Sequence, residues 1–165
     1  MIIMGIDPGT ARVGWSIISS FKGTCAPKSY GLITTEQTET LEVRLSAIFD
    51  AVQKLCRTHG PDVVSIEDLY FSTNVKTAIA VAQGRGAILT AVAKLGIPVF
   101  SYSPLVIKRT VTGSGTADKK QITDMVVRLL KLPGPPKPDD TADALAIALT
   151  HAYTVRFEGG KNTYD

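Results

Sequence analysis

Met1-Ile2-Ile3-Met4-Gly5-Ile6-Asp7-Pro8-Gly9-Thr10 opens the chain. Residues 2–6 form an apolar run, and Asp7-Pro8-Gly9 stops a strand in a turn. A second apolar segment, residues 13–19, carries the single tryptophan, Trp15, and residues 30–34 read as a third strand. Three short strands in so little chain predict an antiparallel start. Beyond them Leu41, Leu45, Ile48, Val52 and Leu55 recur at helical spacing until Gly60-Pro61 ends the segment. Residues 63–67 are a short apolar strand ending in acid. Ser72-Thr73-Asn74 then offers caps for a helix over 75–95. That helix is apolar or small on most sides, so it is expected to be buried within the domain or against a second copy. Residues 97–102 give a fifth strand, followed by helical patterns over 104–111 and 119–131 and a stiff Pro-rich bridge over 133–138. The last helix starts at Asp139 or Asp140 and runs to about residue 155, with Leu145, Ala146, Leu149 and Tyr153 inward.

This order predicts an α/β domain with a mixed five-stranded sheet flanked by helices on both faces. One domain over 1–157 and a flexible tail over 158–165 account for the chain. With 165 residues, 44% of them apolar and 20% charged, a full core is possible without disulfide or metal staples, and disorder and coiled coil are excluded. No apolar run reaches the roughly 18 residues of a membrane span, and an acid at position 7 comes too early for a secretory signal. A cytoplasmic protein is expected, with Cys25 and Cys56 as thiols. Of the net charge of +3, the stretch 108–137 holds seven bases against two acids. Such a concentration reads either as a polyanion footprint or as a solvated helical surface.

Four acids fall where strand and helix ends converge: Asp7 closes the first strand, Glu67 the fourth, and Asp140 and Asp143 share one face of the last helix's first turn. Ligands of α/β sheets bind outside the carboxyl ends of strands. Hard oxygen donors without Cys or His suit Mg²⁺ or Mn²⁺ rather than zinc. Each acid also has a plain structural explanation, as a turn former or a helix-dipole partner. Glu67 and Asp68, adjacent at a strand end, are harder to explain without a cation. Gly113-Ser114-Gly115 lacks the residues of a phosphate loop or a dinucleotide fingerprint; a flexible loop carrying Lys119 and Lys120 towards a phosphate is the expectation there. His59 reads as a helix cap or an exposed residue and His151 as a hydrogen-bonded core residue. Tyr70 and Phe71 are open between core packing and base stacking, with their place beside the carboxylates favouring stacking for one of them.

The chain resembles the RuvC-type Holliday junction resolvases of bacteria. The resemblance is carried by Gly5-Ile6-Asp7-Pro8-Gly9, Ile66-Glu67, Ala82-Gln83-Gly84-Arg85-Gly86, Val106-Ile107-Lys108 with Thr110-Val111 and Gly113, Lys119-Lys120-Gln121, and Asp140-Thr141-Ala142-Asp143-Ala144-Leu145-Ala146. It implies a ribonuclease H-like fold, a homodimer formed through the helix over 75–95, and Mg²⁺-dependent symmetric nicking of four-way DNA junctions in recombination and repair, alongside the RuvA and RuvB branch-migration proteins. Asp7, Glu67, Asp140 and Asp143 fall on the family's catalytic, metal-holding carboxylates, and Lys108 and Lys119 on its basic active-site positions. Tyr70 stands where a phenylalanine commonly meets DNA bases, and Asp68 replaces a Glu or Gln. Phe71, Arg109 and Lys120 complete the expected DNA contacts. The mechanism implied is in-line phosphodiester hydrolysis assisted by two ions about 4 Å apart, with Lys119 as the catalytic cation. The rival readings are a related nuclease acting on RNA or an RNA–DNA hybrid, a sugar-kinase or actin-like ATPase suggested by Asp7-Pro8-Gly9-Thr10, and a non-catalytic junction-binding protein.

Overall fold

A computed structural model describes residues 1–69 and 75–159, including all their side chains except those of 75–77 and 156–159. In chain order it comprises β1 (Ile2–Asp7), β2 (Arg12–Phe21), β3 (Thr24–Thr34), α1 (Leu41–His59), β4 (Val63–Glu67), α2 (Val75–Ala93), β5 (Val99–Tyr102), α3 (Pro104–Thr112), α4 (Lys119–Leu130) and α5 (Asp140–Gly159). The five strands form one sheet in the order β3-β2-β1-β4-β5. β1, β2 and β3 pair antiparallel, while β1–β4 and β4–β5 are parallel. The sheet is therefore mixed, as expected.

Strand alternation divides the core in two. Met4, Ile6, Val13, Ile17, Val64 and Ile66 face α1 and α2, where Ile48, Val52, Cys56, Ile88 and Val92 are buried. Ile3, Ile18 and Val63 face α3, α4 and α5. On this second face the strands are lined with small residues, and α5 lies directly on them. A Cβ on Gly5 would collide with the Ala144 carbonyl oxygen, and one on Gly14 with that of Asp140. The hydroxyls of Ser16 and Ser65 donate to the Ala144 and Ile147 carbonyls at 2.8 and 2.9 Å. An alanine-rich helix on a Gly/Ser-lined sheet is what allows the close approach.

Helix ends follow their sequence signals. Gly60 closes α1 in the left-handed conformation at φ 55°, and Asp118 with Gln121 forms a reciprocal capping box at the start of α4. Lys119 and Lys120 are thus the first residues of a capped helix, not part of a flexible loop. β3 begins at Thr24, well before residue 30, where Pro27 and Lys28 obscured the pattern; an edge strand tolerates proline because one side of its backbone is unpaired. α2 buries only one face, with Ile88, Ala91 and Val92 inside, while Ile79 is 54% exposed and Gln83, Gly86 and Thr90 are exposed beside it. α5 reaches Gly159, two residues past the domain end read at 157. Cys25 and Cys56 are both buried and form no disulfide. Among the described residues no helix is long and apolar enough to cross a membrane.

Candidate active site

Asp7 ends β1 on the face that carries α5, two residues along from Gly5, and pairs in register with Gly14 of β2. The missing side chain at Gly14 admits the Asp140 backbone, which brings the first turn of α5 against the end of β1. Asp7, Asp140 and Asp143 each offer a carboxylate oxygen within 4.8 Å of the others. Glu67 lies at the end of β4, the parallel neighbour of β1, and stands outside that group. It lines the same cleft, of about 220 Å³, with Asp7, Asp143, Lys108 and Lys119. Two strand ends and one helix start thus gather Asp7, Asp140 and Asp143 into one cluster, with Glu67 on the wall of the cleft that Asp7 and Asp143 also line.

The electrostatics are those of a cation site. Burial pushes Asp7 up from 3.8 to about 8, reinforced by Glu67, Asp143 and Asp140 and opposed by Lys119. Glu67 is pushed up to about 6 by burial and by Asp143, with Lys108 opposing. Burial also raises Asp143, although Lys119 donates a hydrogen bond to it. Burial works against the charge of Lys119, but Asp143, Asp139 and Asp140 outweigh it and hold the ammonium above its usual pKa. Two basic groups sit on the cluster as counter-ions: Lys119 Nζ is 3.1 Å from Asp143 Oδ2, and an Arg12 guanidinium nitrogen is 2.9 Å from Asp140 Oδ2. Half-buried carboxylates with oxygens this close, and no Cys or His among them, fit a hard divalent cation.

The remaining predicted residues are placed less uniformly. Lys108, on α3, lines the cleft. Arg109 is exposed, and Lys120 turns to Asp124 at 2.7 Å, so neither enters the cleft. Tyr70 and Phe71 lie outside the described residues. Glu67 and Asp68 do not form the repelling pair that their adjacency suggested. Asp68 follows the last residue of β4 and has its own counter-ion, Arg85, at 3.0 Å. Arg85 also donates to the Glu67 carbonyl at 3.2 Å and the Ser101 hydroxyl at 2.7 Å, fixing the end of β4. His151 is buried, with Nδ1 2.8 Å from the Tyr102 hydroxyl, and His59 packs on Trp15. Sequence reading missed Arg12; the signal was present in the alternation Arg12, Gly14, Ser16, which puts a cation on the small-residue face beyond the end of β1.

Comparison with known proteins is decisive for the lineage. The family profile described as crossover junction endodeoxyribonuclease RuvC matches residues 3–151. The chain belongs to the RuvC family. The crossover junction endodeoxyribonuclease RuvC of Brevibacillus brevis is 48% identical over 152 residues, covering 92% of each chain, and that of Desulforamulus reducens is 44% identical over 98% of this chain and 99% of its own. Thermus thermophilus RuvC, in complex with Holliday junction substrate, superposes with a TM-score of 0.90 at 31% identity over 96% of each chain. The α/β architecture is accordingly the ribonuclease H-like fold of RuvC, with the acid cluster at the carboxyl ends of its central strands.

Proposed function

We propose that this RuvC-family endodeoxyribonuclease resolves four-way DNA junctions by symmetric, divalent-metal-dependent hydrolysis of two phosphodiesters. The observation that carries the reading is the carboxylate cluster: Asp7, Asp140 and Asp143 within 4.8 Å of one another, with Glu67, Lys108 and Lys119 around one cleft. Asp7, Asp140 and Asp143, with Glu67 beside them, would hold a pair of Mg²⁺ ions, for which Mn²⁺ substitutes. Bound there, the ions supply charge neutralisation, activation of water and stabilisation of the leaving 3′ oxygen. Lys119, already directed at the cluster by Asp143, holds positive charge where the phosphorane develops negative charge. Lys108 offsets the charge of Glu67 and faces the same phosphate.

The exposed cations Arg109 and Lys120 contact backbone phosphates, Tyr70 meets bases at the branch point, and Phe71 adds a further DNA contact. A junction offers two-fold related strands, so two sites in a closed dimer match it. The exposed face of α2 supports that assembly: Ile79 is 54% exposed, and a Cβ on Gly86 would meet nothing within 4 Å, which leaves room for a second backbone. Work beside RuvA and RuvB in the bacterial cytoplasm, by one nuclease domain that runs through α5, completes the reading.

One gel tests it. A four-way junction, its linear duplex and an RNA–DNA hybrid are each incubated with the protein in Mg²⁺ or in chelator. Nicks in the junction alone, and only with Mg²⁺, are expected. Cutting of the hybrid instead would overturn the substrate assignment, and junction binding without cutting in either condition would overturn the enzyme.

A further inference from the structure

Beside the acid cluster lies a second, wider concavity of about 690 Å³, lined by Arg12, Lys119, Lys137, Pro138, Asp139 and Asp140. Lys119 lines the catalytic cleft as well, so the two share a wall. Three cations face two carboxylates in this groove, and one of those carboxylates, Asp140, belongs to the acid cluster. The cations of this groove outnumber its carboxylates even with the acid cluster free of metal, and a divalent cation on Asp140 would widen the excess.

Both outer cations sit on anchored backbone. Arg12 starts β2 after a tight turn in which a Cβ on Gly9 would strike the Arg12 carbonyl. Its guanidinium is held 2.9 Å from Asp140 although its side chain is 52% exposed. An ion pair this exposed adds little to stability, whereas a planar donor fork fixed at the mouth of a groove suits a phosphate. Lys137 is exposed, and the residue after it is tied to α5: the Pro138 carbonyl accepts from the Thr141 N–H at 3.0 Å and its hydroxyl at 2.6 Å. Arg12 and Lys137 therefore reach the start of α5 from two separate segments.

We propose that this groove is a phosphate subsite for the strand being cut, in which Arg12 and Lys137 hold a phosphate adjacent to the scissile one. The inference rests on the nuclease reading. A strand whose phosphate occupies the cleft must continue past its walls, and the groove is a continuation that carries cations. Its role is positioning: it fixes the strand so that the scissile phosphate meets Lys119 and the carboxylates.

The test is the salt dependence of junction binding by the full-length protein in chelator, where no strand is cut. Lys137→Ala and Arg12→Gln should each reduce the slope of log affinity against log salt by about 0.9 for every phosphate the variant leaves without its cation. Lys54→Ala, on α1 at the opposite face of the sheet, should leave the slope unchanged. A neutral methylphosphonate placed next to the cut site, on one side or the other, should make Lys137→Ala bind as the wild type does. Wild-type slopes in both variants, or a Lys137→Ala deficit that persists with the neutral linkage on each side in turn, would overturn the subsite alone. Should the wild type fail to nick the junction in Mg²⁺, the nuclease reading falls and the subsite with it.

Discussion

Replacing Asp7 by Asn separates the cost of building this site from its use. In the metal-free protein Asp7 titrates at about 8, against 3.8 for an ordinary aspartate, chiefly because it is buried and secondly because Glu67, Asp143 and Asp140 surround it. The sign follows from linkage. Well below pH 3.8 the group is neutral folded or unfolded and costs nothing. As pH rises, the unfolded chain ionises first, and stability falls until the folded carboxyl also ionises near pH 8. At pH 7 the accumulated loss is of order 4 kcal/mol, at about 1.4 kcal/mol per pH unit. Asn at position 7 carries no charge, so in chelator the variant should be more stable than the wild type. For a chain of this size even half of that value raises Tm by roughly 4–8 °C. The assay is thermal unfolding followed by circular dichroism at pH 5, 7 and 8.5, with and without Mg²⁺. The advantage of the variant should grow with pH in chelator, and Mg²⁺ should raise the wild-type Tm more than that of the variant. Nicking should be abolished while junction binding persists. A variant less stable than the wild type at pH 7 in chelator would instead make Asp7 a structural partner whose charge the fold needs.

Other consequences are equally specific. Protons on Asp7 and Glu67, at about 8 and about 6, compete with Mg²⁺, so titration calorimetry should show affinity rising from pH 6 to 8 with proton release on binding; a flat profile would remove Asp7 from the metal site. Gly14→Ala places a Cβ against the Asp140 carbonyl, so it should cost about 1–3 kcal/mol as overpacking and lower nicking by displacing Asp140, both read by denaturant unfolding beside the junction gel. Ser65→Ala removes a buried hydroxyl that donates to Ile147 and should cost about 1 kcal/mol with nicking largely retained. Gly86→Arg, at a point where an added Cβ meets nothing within 4 Å, should shift sedimentation from dimer to monomer without unfolding the chain; an unchanged dimer would move the interface elsewhere.

Much of the fold was legible in the sequence because its signals are local. The apolar run into Asp7-Pro8-Gly9, the stripe of α1 and its Gly60 stop, and the i,i+3 pair Asp140 and Asp143 each declare themselves within a few residues. The acid cluster could be anticipated because strand ends and a helix start gather on one side of an α/β sheet. What stayed hidden depends on contacts between distant segments. Gly5, Gly14, Ser16 and Ser65 carry no signal within their own strands and acquire their role only where α5 lies on them. Arg12 acquires meaning only when Asp140, far along the chain, comes within 2.9 Å. Glu67 and Asp68 looked like two carboxylates in need of a cation because adjacency in sequence is easily mistaken for proximity, whereas Asp68 pairs with Arg85. The early part of β3 was hidden by Pro27, whose disruptive effect an edge position cancels.

Whether the carboxylate cluster cuts a four-way junction by metal-assisted in-line hydrolysis is decided by the ends of the products. Each strand of a four-way junction is labelled in turn, incubated with the protein in Mg²⁺ or chelator, mapped on a denaturing gel and then treated with DNA ligase. Two nicks at two-fold related positions, present only with Mg²⁺ and resealed by ligase because they carry 3′-hydroxyl and 5′-phosphate ends, are the expected result. Cuts that persist in chelator, that fall at unrelated positions, or that ligase cannot reseal would contradict it.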